Sequence, residues 1–205
     1  MNTVLTVINP ANESLIAEIP TDDAAAIAAK VKRARQAQPA WANTDLSERI
    51  KVIKAFSGLL LAHQEDLAAT LTAETGKPIE QSRYEIGATT NRIAFFVENV
   101  AGVLAPEQVY QDPWQAMPGT AKQTEIFSYD PLGVIANISA WNYPYFVGAN
   151  VFVPALLTGN AVLYKPSEIA SMTGQAITHL LHQAGVPEDI FVSVIGTGVA
   201  GATLV

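Results

Sequence analysis

From Gly133 onward the chain alternates short apolar runs with helical segments, an order that few folds accept. Gly133-Val134-Ile135-Ala136-Asn137-Ile138 is too continuously apolar for a strand with one wet face, which predicts a strand buried on both sides of a parallel sheet. It runs into Ser139-Ala140-Trp141-Asn142-Tyr143-Pro144, and an apolar helical segment then closes at Thr158-Gly159-Asn160. A second strand, Ala161 to Tyr164, leads into Lys165-Pro166-Ser167-Glu168. A helix from about Ser171 to Ala184 follows, stopped by Gly185 and Pro187. A third strand, Ile190 to Ile195, opens into Gly196-Thr197-Gly198-Val199-Ala200-Gly201. Strand, helix, strand, helix, strand, glycine turn is the sequence form of an α/β fold with a doubly wound parallel sheet. Such sheets bind ligands beyond the carboxyl ends of their strands. Trp141-Asn142 and Lys165 to Glu168 both fall at those ends.

The first half reads differently. Val4 to Ile8 and Leu15 to Ile19 flank Asn9-Pro10-Ala11-Asn12-Glu13, a hairpin pattern. Thr21-Asp22-Asp23 supplies a cap and an acidic first turn for a helix whose other end gathers Lys30, Lys32, Arg33 and Arg35, matching the helix dipole. A second helix follows Thr44-Asp45, with Ile50, Ile53, Phe56 and Leu60 at helical spacing. A third carries Leu67 and Leu71 and ends at Gly76. Pro78 suits the first turn of a long fourth helix. Its apolar stripe is Ile79, Ile86, Ile93, Val97, Val100 and Leu104, which leaves Glu80, Arg83 and Glu85 on the surface. Pro106, Pro113, Pro118 and Gly119 break regular structure across 105–120, and 123–129 reads as extended. There is no internal repeat and no low-complexity linker.

Composition excludes several classes of function. With 49% apolar and 15% charged residues and a mean hydropathy of +0.21, the 205 residues can bury a sizeable core and are not disordered. The net charge of −7 disfavours a nucleic-acid partner. No cysteine means no disulfide and no thiolate metal site. His179 and His182, three apart with no third ligand, read as a solvated helix face, so no metal is expected. The start of the chain has no signal-peptide pattern. Its most apolar run, Tyr145 to Leu157, is shorter than the roughly 20 residues a spanning helix needs. A cytoplasmic protein without membrane contact is the expectation.

Several segments carry a family resemblance in the right order along nearly the whole chain. They are Glu74-Thr75-Gly76-Lys77-Pro78, Asp130-Pro131-Leu132-Gly133-Val134, Trp141-Asn142-Tyr143-Pro144, Pro154-Ala155-Leu156, Gly159-Asn160, Lys165-Pro166-Ser167-Glu168 and Ala184-Gly185-Val186-Pro187. Together they resemble the aldehyde dehydrogenase superfamily. The resemblance implies oxidation of an aldehyde through a cysteine thiohemiacetal, hydride transfer to NAD or NADP, and hydrolysis by water that a glutamate activates. It places the cysteine and that glutamate beyond the equivalent of Val205. It therefore implies an N-terminal portion without the catalytic domain: hairpin and helices of the cofactor-binding domain over 1–107, a segment of an oligomerisation arm over 108–130, and the first strands and helices of the dinucleotide-binding sheet over 131–205. It also implies a homo-oligomer in the full-length form.

The resemblance assigns roles residue by residue, each beside a plainer alternative. Asn142 would donate its amide N–H to the alkoxide formed when a nucleophile adds to the aldehyde; the alternative is an asparagine that satisfies its own loop. The usual proline before the tryptophan is Ala140 here. Lys165 and Glu168, with Ser167, would hold the adenosine ribose, and Glu168 would repel a 2′-phosphate, favouring NAD over NADP; the alternative is a surface pair beside the turn at Pro166. Gly196-x-Gly198-x-x-Gly201 matches a dinucleotide fingerprint by spacing, yet it follows the third strand rather than the first. In the family these glycines pack beside the adenine, which makes Gly198 a cofactor-binding position together with Trp141. Tyr143, Val147 and Asn150 fall where the family lines its substrate tunnel, with core packing an equal alternative for Val147. The expectation is an inactive portion of an aldehyde dehydrogenase. The alternative is a truncated, non-catalytic protein that binds nucleotide or pairs with a full-length subunit.

Overall fold

Alternating apolar side chains pair β1 (Val4–Ile8) with β2 (Leu15–Pro20) as the expected antiparallel hairpin. The computed structural model describes residues 4–111 and 123–205. Val7 and Ile19 bury against Ile195, so the hairpin packs far along the chain. Asp22 fixes this contact twice: its backbone N–H donates to the Ile195 carbonyl, and its carboxylate accepts the Ile195 N–H, each at 2.8 Å.

Asp23 then caps α1 (Ala24–Ala42), accepting the Ala26 N–H at 2.8 Å, worth about 1 kcal/mol. Two expectations for this helix fail. The aspartates precede its first turn, and Lys30 to Arg35 lie in its middle, because the helix runs on through Pro39 to bury Trp41. Its C-terminal carbonyls are met from the next helix instead. Arg49 donates to the carbonyls of Trp41 and Ala42, at 3.2 and 2.9 Å.

Helices α2 (Leu46–Ala62), α3 (Gln64–Thr75) and α4 (Ile79–Val103) bury the predicted stripes: Ile53, Phe56 and Leu60, then Leu67 and Leu71, then Ile86, Ile93 and Val100. Gly76 ends α3 at φ 73°, a left-handed geometry that glycine adopts without strain. Pro78 is extended, with ψ 136°, so it precedes α4 rather than entering its first turn. The surface position expected for Glu85 is wrong, since that side chain is buried. Further on, β3 (Glu107–Gln111) and β4 (Thr124–Phe127) form an exposed antiparallel ribbon. Pro113, Pro118 and Gly119, expected as breakers, lie outside the described residues.

The predicted sheet is parallel, in the order β5 (Val134–Ile138), β6 (Ala161–Lys165), β7 (Phe191–Ser193). Helices α5 (Pro144–Leu157) and α6 (Ser171–Ala184) are the crossovers, and α7 (Gly198–Leu204) follows β7. Tyr164 points to Phe152 of α5, ring centroids 5.8 Å apart, whereas its neighbour Lys165 points to Gly201 of α7. Successive strand residues face opposite sides, so helices cover both faces. Strand β6 is buried throughout. Strand β5 is not buried on both faces as expected: it is an edge of this sheet, and Ala136 and Ile138 are exposed. Its other face is tied to α5 by Asn137, whose amide donates to the Gly148 carbonyl. Among the described residues no helix is long and apolar enough to cross a membrane.

Candidate functional site

Strands β5 and β6 end side by side, joined by a hydrogen bond from the Ser139 N–H to the Lys165 carbonyl at 2.9 Å. Two cavities open beyond those ends. One, of about 400 Å³, brings together Lys165, Ser167, Glu168 and Gly198, with Ser139 and Gly201 completing its wall. The other, of about 270 Å³, is lined by Trp141, Asn142 and Tyr143 together with Gly76, Lys77 and Gln81. Trp141 thus shares a cavity with Asn142 and not with Lys165.

The first cavity is built around a buried cation. Lys165 is 3% exposed; its ammonium donates to the Pro166 carbonyl at 3.1 Å and lies 3.7 Å from the Glu168 carboxylate. Ser167 accepts the Ile169 N–H at 3.3 Å and caps the short 3₁₀ turn that carries Glu168. Close helix approach sets this turn in place. A Cβ at Gly174 would stand 2.5 Å from Pro166, and one at Gly201 3.4 Å from the Lys165 side chain.

Asn142 sits one residue before the N-cap of α5, exposed, and its amide makes no hydrogen bond to the described residues. Asn137 and Asn160 behave otherwise, using their amides to fasten β5. What fixes the Asn142 loop is its surroundings. Glu85 of α4 accepts the N–H groups of Tyr145 and Phe146, at 2.8 and 3.3 Å, and so satisfies the first turn of α5. Lys77 pairs with the same carboxylate, and its ammonium lies 4.0 Å from the centroid of the Tyr143 ring. Burial pushes the Glu85 carboxyl above its ordinary range, against the opposing pull of Lys77.

A second glutamate repeats the arrangement. Glu74 accepts the N–H groups of Met172 and Thr173, at 2.9 and 2.7 Å, at the start of α6. Its carboxyl is also pushed up by burial, with those bonds opposing. Sequence reasoning gave neither glutamate its place. The signal was present for Glu85, because Ser82, Glu85, Ile86, Thr89 and Ile93 form one buried stripe at helical spacing.

Tyr143, Val147 and Asn150 share one face of α5, and the first two are exposed. Asn150 is half-buried and engaged at both ends of its amide. Its Oδ1 accepts from Arg92 Nε at 2.7 Å, and its Nδ2 donates to the Phe146 carbonyl at 2.8 Å. Arg92 was not among the expected site residues. His182 lies 2.8 Å from the Phe191 carbonyl, while His179 is exposed.

Known proteins are similar to this chain in sequence and architecture. A 3,6-anhydro-alpha-L-galactose dehydrogenase of Streptomyces coelicolor is 34% identical over 194 residues, which cover 95% of this chain and 38% of that protein. An aldehyde dehydrogenase from Brucella melitensis biovar abortus 2308 matches in structure with a TM-score of 0.90 and 28% identity, over 98% of this chain and 40% of its own. An NADP-dependent glyceraldehyde-3-phosphate dehydrogenase from Bacillus halodurans C-125, solved in complex with NADP, matches with a TM-score of 0.91 and 29% identity, over 98% of this chain and 42% of its own. The chain therefore spans about two-fifths of the length of these relatives. The family model described as "Aldehyde dehydrogenase family" matches residues 1–205, and the chain belongs to that family.

Proposed function

We propose that this chain forms the nucleotide-holding and oxyanion-side part of an NAD- or NADP-dependent aldehyde dehydrogenase that oxidises an aldehyde to a carboxylic acid. The observation that carries this reading is the convergence of Lys165, Ser167, Glu168 and Gly198 in one cavity beyond the carboxyl ends of β5 and β6. A buried ammonium with one carbonyl partner retains donors for ribose hydroxyls, and the Glu168 carboxylate 3.7 Å away accepts from them. That carboxylate repels a 2′-phosphate, which favours NAD over NADP.

The nicotinamide, when bound, accepts the hydride. The chain's own contribution to the reacting centre is Asn142, whose amide has no partner among the described residues and offers an N–H donor to a developing alkoxide from a loop held by Glu85 and Lys77. Tyr143, Val147 and Asn150 line the substrate approach along α5, and Trp141, beside Asn142, is a cofactor-binding position. A thiol nucleophile has to come from outside these 205 residues, which contain no cysteine. The exposed β3–β4 ribbon serves as part of the oligomerisation arm. The missing thiol also favours a second reading, in which the chain by itself is a non-catalytic nucleotide-binding or subunit-pairing protein.

The test is NADH formation from a panel of aldehydes. The chain alone should show no repeated turnover. A chimera joining it to the C-terminal three-fifths of the Streptomyces coelicolor relative should oxidise at least one aldehyde. Turnover by the chain alone, or a folded chimera inert with every aldehyde, would overturn the proposal.

A further inference from the structure

Arg92 stands in the middle of α4, half-buried, and pairs with no carboxylate among the described residues. The contrast with the chain's other shielded arginines is sharp. Arg49 donates to two helix-end carbonyls, and Arg83 is held by Glu65 and Glu80. Arg92 instead uses one N–H, from Nε to the Asn150 Oδ1 at 2.7 Å. Its guanidinium carbon lies 5.5, 5.4 and 5.9 Å from the ring centroids of Phe95, Phe96 and Phe146. The two terminal nitrogens have no hydrogen-bond partner among the described residues and are not buried, so their N–H donors are free to meet an anion.

The side chain is also oriented. Asn150 donates from Nδ2 to the Phe146 carbonyl while it accepts from Arg92, so flipping the amide would forfeit both bonds. One amide therefore locks Nε and leaves the planar fork of Nη1 and Nη2 for a bidentate partner, which a carboxylate matches. Asn150 shares its face of α5 with Val147 and Tyr143, and its amide reaches back over the turn of Phe146. Phe146 is four residues beyond Asn142, and Asn150 is eight, which puts the guanidinium on the order of 6–12 Å from Asn142 along the helix axis.

We infer that Arg92, locked by Asn150, is a specificity-determining anion subsite for a carboxylate on the substrate, so that the preferred aldehydes are short chains with a carboxylate a few carbons from the carbonyl. This rests on the reading that the Asn142 end of α5 receives the aldehyde. No bond forms or breaks at the subsite. The guanidinium fixes one end of the substrate while the other end reacts.

The experiment uses the 205-residue chain and side-chain NMR signals of Arg92 Nε–Hε and the Asn150 amide. The probes are succinate, its neutral analogue succinamide, and inorganic phosphate. Succinate should give saturable shifts at both groups, and succinamide none. Arg92→Met should weaken succinate binding by at least about tenfold, and Arg92→Lys, which keeps the charge and loses the fork, should weaken it by less. Shifts that survive Arg92→Met, an equal response to succinamide, or no saturable response would each overturn the subsite. An equal response to phosphate would reduce it to a general anion site and overturn the carboxylate preference. AMP titrated into the same samples reads the Lys165–Glu168 cavity independently. Loss of the succinate response with AMP binding intact removes the Arg92 subsite alone, whereas the reverse removes the nucleotide reading alone.

Discussion

The Glu85 carboxylate accepts the Tyr145 backbone N–H at 2.8 Å across sixty residues of sequence, so a side chain inside α4 caps the start of α5. The N-terminal turn of a helix has unpaired N–H groups and a positive end, and a carboxylate answers both. Here the carboxylate is buried and has its own cation in Lys77, which in turn rests on the Tyr143 ring. One ion pair thereby joins the Glu74 to Pro78 turn, α4 and the Trp141 to Pro144 loop.

Removing one partner of such a pair strands the other. Glu85→Ala should cost about 3–5 kcal/mol of stability, because Lys77 loses its counter-charge and two N–H groups lose their acceptor. Glu85→Gln keeps an acceptor and should cost less. Replacing both partners, with Lys77→Met and Glu85→Leu together, should recover part of the loss. Urea unfolding of the four proteins measures this. Equal losses for Ala and Gln would show that a neutral acceptor contributes nothing and that the charge carries the whole effect.

Glu74 gives a pH dependence whose sign can be worked out. Burial raises its folded-state carboxyl above the ordinary 4.5, so the folded chain keeps this proton to higher pH than the unfolded chain does. The group's contribution is then complete below about 4.5 and is lost as pH rises through the folded value. Urea midpoints of wild type and Glu74→Gln, taken from acid to neutral pH, should diverge, with wild type falling more steeply above that lower bound. Parallel curves would mean that the bonds from Met172 and Thr173 cancel the effect of burial.

The Lys165 cavity should bind nucleotide weakly and prefer NAD. Calorimetry of the chain should give a Kd weaker than ~1 μM, that is, less than about 8 kcal/mol of binding free energy. Lys165→Met should weaken NAD and NADP alike. Glu168→Gln should mainly improve NADP, by removing the charge that faces its 2′-phosphate. Stronger binding of NADP than NAD by the unaltered chain would remove the role given to Glu168.

Local periodicity made most elements legible, from the hairpin through the stripes of α2 to α4 to the strand–helix order after Gly133. What it missed depends on distant partners. Glu85, Glu74 and Arg92 bond to groups 60, 98 and 58 residues away, and a solvated carboxylate or guanidinium has the same sequence signature as a buried one. Strand β5 reads as doubly buried because its residues are apolar, yet burial is set by neighbouring elements, and here one of its faces lies open. The grouping of Lys165, Ser167, Glu168 and Gly198 could be expected only through the family resemblance, since β6 and α7 come together by way of the whole β6–α6–β7 unit.

The sharpest test of the reacting centre is Asn142, because its two readings predict opposite pairs of results. If the amide served its own loop, Asn142→Ala would lower stability and change catalysis only through misfolding. The amide bonds to no described residue, so the substitution should instead leave the urea midpoint of the chain nearly unchanged, within about 0.5 kcal/mol. In the chimera with the Streptomyces coelicolor C-terminal portion, the same substitution should lower kcat by about 10²–10³, or ~3–4 kcal/mol, the usual effect of losing one donor to a developing alkoxide. Asn142→Asp should be at least as damaging, since it sets a negative charge against another. NAD affinity should hold in both variants, because Lys165 and Glu168 line a separate cavity. Stability measured on the chain and turnover measured on the chimera separate the readings: a large stability loss with near-native turnover per folded molecule would return Asn142 to the role of a loop residue.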